Sequence, residues 1–374
     1  MRFLLVCTGT AGHINPALGI AAQLKERFPH SKLLFIGADR AMEKRLIPEA
    51  GYDLINIKMS GLRRSFKPRD IFFNIKTLIN TLIARRKSKK LLIDFKPDAV
   101  IGTGGYICYP LLSKAAKLRI PTFIHESNAW PGLTVKMLSQ VVDRVFIAFK
   151  DTENLYRKPE NVIYTGTPLR KEFYDPAETN ETSNPDEKPL VVSFWGSLGA
   201  ERMNEMMPEF IKRNLENDCF RHIHATGNST DRLLSRLSEL GITDMCSPMI
   251  DLREYIDNMP TVMNAADLIL CRAGGITCAE LITLGKPAVI IPSQYVPDNI
   301  QPANAEKLSS AGGAVVISEK NLTGGLLFET VSDLLKDKEK LERMSLAQKS
   351  LSVPNSAEKI VDIVMQHITS RYSA

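Results

Sequence analysis

Four glycine-rich turns, each directly after a short apolar run, limit what this chain can fold into. GTAGH (9–13) and GTGGY (102–106) stand in the first half, GSLGA (196–200) and RAGGIT (272–277) in the second. An apolar run entering a glycine turn and then a helical pattern is the βα unit of a parallel sheet. The runs FLLVCT (3–8), KLLFIG (32–37), AVIGT (99–103), TFIHE (122–126) and RVFIAF (144–149) alternate with amphipathic stretches. The same rhythm restarts with LVVSFWG (190–196), RHIHATG (221–227), DLILCRAG (267–274), AVIIPS (288–293) and AVVIS (314–318). Between them, residues 174–189 are polar, proline-containing and without apolar period, which predicts a linker. At about 150 residues per domain, 374 residues make two. The expectation is an α/β protein of two Rossmann-like domains facing across a cleft, with the glycine turns at carboxyl ends of strands. Ligands of open α/β sheets bind there, because backbone N–H groups and helix N-termini converge on anionic groups.

Composition excludes several classes. With 44% hydrophobic and 24% charged residues the chain is neither disordered nor fibrous. Six cysteines without a C-x-x-C pair argue against a disulfide scaffold or zinc ribbon. The apolar run at residues 3–7 is too short for a signal-peptide core, and no run approaches the roughly 18 apolar residues of a membrane span. A strict G-x-G-x-x-G and an acidic residue near 29–37 are both missing, which disfavours a nicotinamide enzyme, and no P-loop string occurs. The phosphates expected are those of a sugar nucleotide.

In RAGGIT, Gly274 and Gly275 allow the backbone to turn its amides toward a diphosphate, and Ile276 and Thr277 open a helix whose dipole adds about 0.3 to 1 kcal/mol per anionic group. Glu280 either accepts both hydroxyls of a ribose or is a solvated acid in the first turn. His13 ends the first glycine turn; it is either a general base for a sugar hydroxyl or a bond to its own loop. His125, Glu126 and Asn128 face a sugar or form a buried polar network. No Asp-x-Asp or H-E-x-x-H string occurs, so neither a metal nor a cofactor is expected, and the diphosphate charge falls to amides, helix dipoles, Arg170 and Ser197.

Between positions 58 and 90, eleven Lys and Arg face Asp70 alone, a segment charge of +10 in a chain of net +6. On a helical wheel Leu78, Ile71, Leu82, Ile75, Ile79, Phe72 and Ile83 fall within about 140°. Arg85, Arg86, Lys87, Lys89 and Lys90 follow. This suits a helix in the interface of an anionic leaflet, the bland alternative being a helix packed on its own sheet. Aromatic interleaving for nucleic acid is missing.

The ordered motifs GTAGHINPALGIA, SGLRR, GTGGYICYPLL, PTFIHESNAWPGLTVK, TGTPLR, GSLGA, EYIDNM, RAGGITCAELITLGKPAVIIP and QPANAEKL resemble those of the MurG family, β-N-acetylglucosaminyltransferases of bacterial cell-wall synthesis. The resemblance implies GT-B architecture, with an acceptor- and membrane-binding domain (1–173), a donor domain (190–350) and a C-terminal helix (351–374) returning to the first. It implies metal-independent, inverting transfer from UDP-N-acetylglucosamine to lipid I at the cytoplasmic face of the membrane. Thr10, Ala11 and Gly12 would line the sugar and acceptor side, with Asn128 and Gln301 on the N-acetylglucosamine. Arg170, Ser197, Gly275, Ile276 and Thr277 would bind the diphosphate, the Ile256 backbone the uracil and Glu280 the ribose, with His13 the candidate base. Membrane contact falls to Ile75, Ile79, Leu82, Arg85, Arg86 and Lys89. Thr8, Ser127, Leu198, Ile300 and Pro302 depart from the family pattern.

Overall fold

The structure, a computed structural model, describes residues 1–61, 68–176, 188–196, 199–242, 249–295 and 299–372. The chain forms two compact units, Met1–Arg170 with Val353–Ala374, and Lys171–Ser352. The first division falls just ahead of the polar stretch 174–189.

In the first unit, β1 (Arg2–Val6), β2 (Lys32–Gly37), β3 (Asp53–Asn56), β4 (Ala99–Gly102), β5 (Thr122–Glu126), β6 (Arg144–Ile147) and β7 (Val162–Tyr164) form one sheet in the order β3-β2-β1-β4-β5-β6-β7, every described pair parallel. Successive side chains point to opposite faces, so both faces build a core. Phe3 and Leu5 join Phe35, Ile101, Phe123 and Phe146 on one side, whereas Leu4 and Val6 join Ile36, Val100, Ile124 and Val145 on the other. Helix Ser356–Tyr372 places Ile360, Val361, Val364 and Ile368 into the first of these cores. Their spacing is one helical stripe, and full burial is worth about 1.5 to 3 kcal/mol per such side chain.

The second unit has β8 (Leu190–Phe194), β9 (Arg221–Ala225), β10 (Ile250–Arg253), β11 (Leu268–Cys271), β12 (Ala288–Ile290) and β13 (Ala314–Val316), ordered β10-β9-β8-β11-β12-β13 and again parallel in every described pair. Three strands, β3, β7 and β10, were not expected from the sequence. All are sheet edges of three or four residues, with much of their length exposed or half-exposed. An edge strand can do without a continuous apolar run, and these three leave little signal, whereas β13, the remaining edge, carries the run AVVIS and is legible.

Strand order reverses between β1 and β4 in one sheet and between β8 and β11 in the other. The four glycine turns follow those four strands. A chain-order switch point opens a crevice at the carboxyl ends of its strands, so each unit offers one binding place there.

Candidate active site

At the first switch point Gly9, with φ +97°, turns β1 into helix Ala11–Arg27, and Thr10 stands extended before it. The first backbone bonds of that helix run from His13 and Ile14 to the Thr10 carbonyl, so the Ala11 and Gly12 N–H groups precede them. His13 Nδ1 lies 3.0 Å from the Thr103 carbonyl, and the Thr103 hydroxyl donates to the His13 carbonyl at 2.6 Å. A carbonyl only accepts, so Nδ1 carries the proton and Nε2 the lone pair. Burial holds the imidazole pKa below its ordinary value, against a smaller upward pull from the Thr103 bond, so the ring is neutral at pH 7. A methyl on Gly104, at φ +111°, would collide with Nδ1 of His13. GTAGH and GTGGY are therefore two sides of one site.

The Glu126 carboxylate at the end of β5 accepts from the Asn128 backbone at 3.1 Å, from Asn128 Nδ2 at 2.7 Å and from the Gly132 backbone at 2.9 Å. These bonds fix the orientation of the Asn128 amide, with Nδ2 held by the carboxylate. His125 is fully buried, bonds the Gly166 carbonyl through Nε2 at 2.9 Å and has its pKa pushed down by burial to about 4. Of the trio, His125 and Glu126 are buried, each with its own hydrogen-bond partners, and Asn128 alone is half-exposed. Gly166, at φ +72°, has no room for a methyl beside Ser356 and Val353. Arg170 closes this unit, half-buried.

At the second switch point Gly274, with ψ 143°, precedes helix Gly275–Leu284, one residue earlier than expected. Its first backbone bond runs from the Cys278 N–H to the Gly274 carbonyl at 2.9 Å. The Gly275, Ile276 and Thr277 N–H groups thus have no partner within the helix and suit an anionic oxygen. Glu280 is only 7% exposed and lies beyond the first turn, so the reading as a solvated acid is overturned. Burial foremost, and then the Glu280 carboxylate, push the Cys278 thiol up to about 12. The Ile256 side chain is buried. Gln301 accepts from the Ser293 N–H at 2.7 Å through Oε1, which fixes the orientation of its amide. Ser197 and Leu198 lie outside the described residues.

Three supports had no local signal. Glu43 braces the first glycine turn from another helix. Asn304 Nδ2 donates to the Ala273 carbonyl at 2.9 Å, holding the RAGGIT turn from helix Ile300–Ser310. Glu319 forms a bidentate pair with Arg272, the first residue of that turn, at 2.9 and 3.1 Å, both side chains buried. Among the described residues no group of three or more His, Cys, Asp or Glu could hold a metal.

Helix Pro68–Phe95 turns a stripe of Thr77, Ala84, Ser88 and Leu92 inward. Phe72 and Ile83, within the expected apolar arc, are 73% and 44% exposed. Arg86 and Lys89 are exposed and Arg85 half-exposed; the side chains of Ile75, Ile79 and Leu82 lie outside the described residues. Among the described residues no helix is long and apolar enough to cross a membrane.

Two parallel sheets with glycine turns at their switch points, one presenting a neutral imidazole and the other a helix N-terminus backed by a buried carboxylate, fit a two-domain nucleotide-sugar enzyme of GT-B type. The glycosyltransferase family 28 N-terminal domain matches residues 3–147, and the family 28 C-terminal domain matches residues 190–360. A relative from Acetivibrio thermocellus, named UDP-N-acetylglucosamine--N-acetylmuramyl-(pentapeptide) pyrophosphoryl-undecaprenol N-acetylglucosamine transferase, is 42% identical over 97% of each chain. The crystal structure of MurG from Acinetobacter baumannii superposes with a TM-score of 0.74 at 26% identity, over 98% of this chain and 99% of that one. A UDP-GlcNAc 2-epimerase from Neisseria meningitidis, bound to UDP-GlcNAc, shares the fold with a TM-score of 0.66 at 16% identity, over 98% of this chain and all of that one. The chain belongs to the MurG family.

Proposed function

We propose that the protein transfers N-acetylglucosamine from UDP-N-acetylglucosamine to the 4-hydroxyl of the muramoyl sugar in lipid I, with inversion, giving lipid II for peptidoglycan synthesis. The observation that carries the chemistry is the His13–Thr103 pair, which holds a neutral imidazole with its lone pair on Nε2. Nε2 takes the acceptor proton as O4 attacks the anomeric carbon from the face opposite UDP. The bond from that carbon to the phosphate oxygen breaks, UDP leaves with the electron pair, and a single displacement inverts the centre. The Gly275, Ile276 and Thr277 N–H groups, Arg170 and Ser197 meet the diphosphate charge, and the helix dipole adds to them. Asn128 and Gln301 hold the sugar, the Ile256 backbone the uracil and Glu280 the ribose, while Thr10, Ala11 and Gly12 line the acceptor side.

Labelled sugar from UDP-N-acetylglucosamine should enter a lipid I analogue, at an undiminished rate under saturating chelator. Chelator-abolished transfer restored by magnesium would overturn the metal-free reading, and no transfer under any condition would overturn the function. Glu280→Ala should weaken UDP binding by about 1 to 3 kcal/mol, the cost of losing charge-assisted bonds to the ribose. Calorimetry giving unchanged affinity would remove that assignment.

An acceptor on a polyprenyl anchor is reached from the membrane surface, so the protein works as a peripheral enzyme on the cytoplasmic leaflet. Ile75, Ile79 and Leu82 enter the leaflet, and Arg85, Arg86 and Lys89 meet its anionic head groups. The exposed Phe72 and Ile83 on the same helix support this. So do Leu133, Met137 and Val141, which are 41–51% exposed. Met137 and Val141 share a groove with Arg85 and Lys117.

A further inference from the structure

Glu43, in the first turn of helix Ala41–Glu49, is fully buried yet belongs to none of the glycine turns. Its Oε2 accepts from the Thr8 hydroxyl at 2.6 Å and the Gly9 N–H at 3.2 Å, and its Oε1 from the Arg40 N–H at 2.9 Å. A carboxylate removed from water costs several kcal/mol unless donors occupy its lone pairs. Here two turns supply them. Space is kept for it, since a methyl on Gly37 would come 2.8 Å from Oε1.

The contacts continue around a ring. Arg40 Nε donates to the Tyr106 hydroxyl at 3.0 Å. Tyr106 ends the turn in which Gly104 lies against His13, and a methyl on Gly105 would come 2.6 Å from Thr8 Cγ2. The turns after β1, β2 and β4 are thus tied into one assembly, with the Glu43 carboxylate joining two of them.

We infer that Glu43 is a positioning residue for the transfer. Through Thr8 and Gly9 it fixes the turn leading to residues 10–13, and so the place where His13 Nε2 meets the acceptor hydroxyl. The inference rests on His13 as proton acceptor. It also gives Thr8 a role: its hydroxyl is one of the carboxylate's three donors. Glutamine at position 43 keeps the shape but replaces one acceptor oxygen by an NH2 group, which must face the Arg40 N–H or the Gly9 N–H.

The test compares Glu43→Gln, Thr8→Val, the double variant and His13→Ala for turnover with a lipid I analogue, for UDP affinity by calorimetry, and for melting temperature. Assays run well below the lowest melting transition. Glu43→Gln should lower kcat by about 10- to 100-fold, the scale of a misplaced reacting group, with UDP affinity within about twofold. Thr8→Val should act in the same direction, and the double variant should be no slower than Glu43→Gln, because both act through one network. Glu43→Gln within about threefold of wild type while His13→Ala is severely impaired would overturn the inference, as would losses that multiply. His13→Ala within tenfold of wild type would instead remove the reading on which it rests. If Glu43→Gln fails to fold, Thr8→Val decides alone: an unchanged kcat overturns the inference.

Discussion

His13→Ala is expected to lower the turnover number by about 10² to 10⁴, the usual worth of general acid–base catalysis, with UDP affinity nearly unchanged. The donor contacts proposed here lie mainly in the second unit, whereas His13 stands at the β1–β4 switch point of the first. The pH profile follows from the sign of its shift. Burial lowers the imidazole pKa, so Nε2 keeps its lone pair at neutral pH and loses it only as pH falls through a value below the ordinary 6.5. The acidic limb of kcat/KM for the wild type should lie below pH 6.5, and His13→Ala should lack that limb. A loss under tenfold would return His13 to shaping its loop through Thr103.

The second large effect concerns the membrane. Reversing Arg85, Arg86 and Lys89 to glutamate should abolish binding to anionic vesicles. Each cation near such a surface is worth about 1 kcal/mol, so three reversals remove several kcal/mol and add repulsion. Arg86 and Lys89 are exposed and the inward stripe of the helix is Thr77, Ala84, Ser88 and Leu92, so folding and UDP binding should survive. Higher salt should weaken the wild type in the same direction by screening. If the reversed variant pellets with anionic liposomes as well as wild type, the lipid contact must lie elsewhere.

The features legible in the sequence are those with a local cause. Strands buried on both faces, such as FLLV and TFIHE, read as apolar runs, and the glycine turns after them mark their carboxyl ends. Edge strands such as β3 and β10 lack the second buried face and the run that goes with it. Within the site, GTAGH and GTGGY read as two turns because their union depends on β1 lying beside β4, a pairing across 90 residues of chain between His13 and Thr103. Glu43 is quieter still. In the string AMEKR it looks like any acid in a first helical turn, and its burial arises only when the β2 turn folds back on the β1 turn. Glu280 differs from a solvated acid by the same kind of cause, the packing of its helix rather than its spacing from RAGGIT.

Proton NMR can follow UDP-N-acetylglucosamine with the purified protein, first alone and then with a lipid I analogue. Transfer and 2-epimerisation can both start from this donor on this fold, and they differ in whether an acceptor is needed. The donor spectrum should stay unchanged until the analogue is added, and UDP should then be released in step with a new β-linked N-acetylglucosamine signal on the muramoyl 4-oxygen. UDP-N-acetylmannosamine accumulating without acceptor, with no disaccharide after its addition, would contradict the proposed transfer.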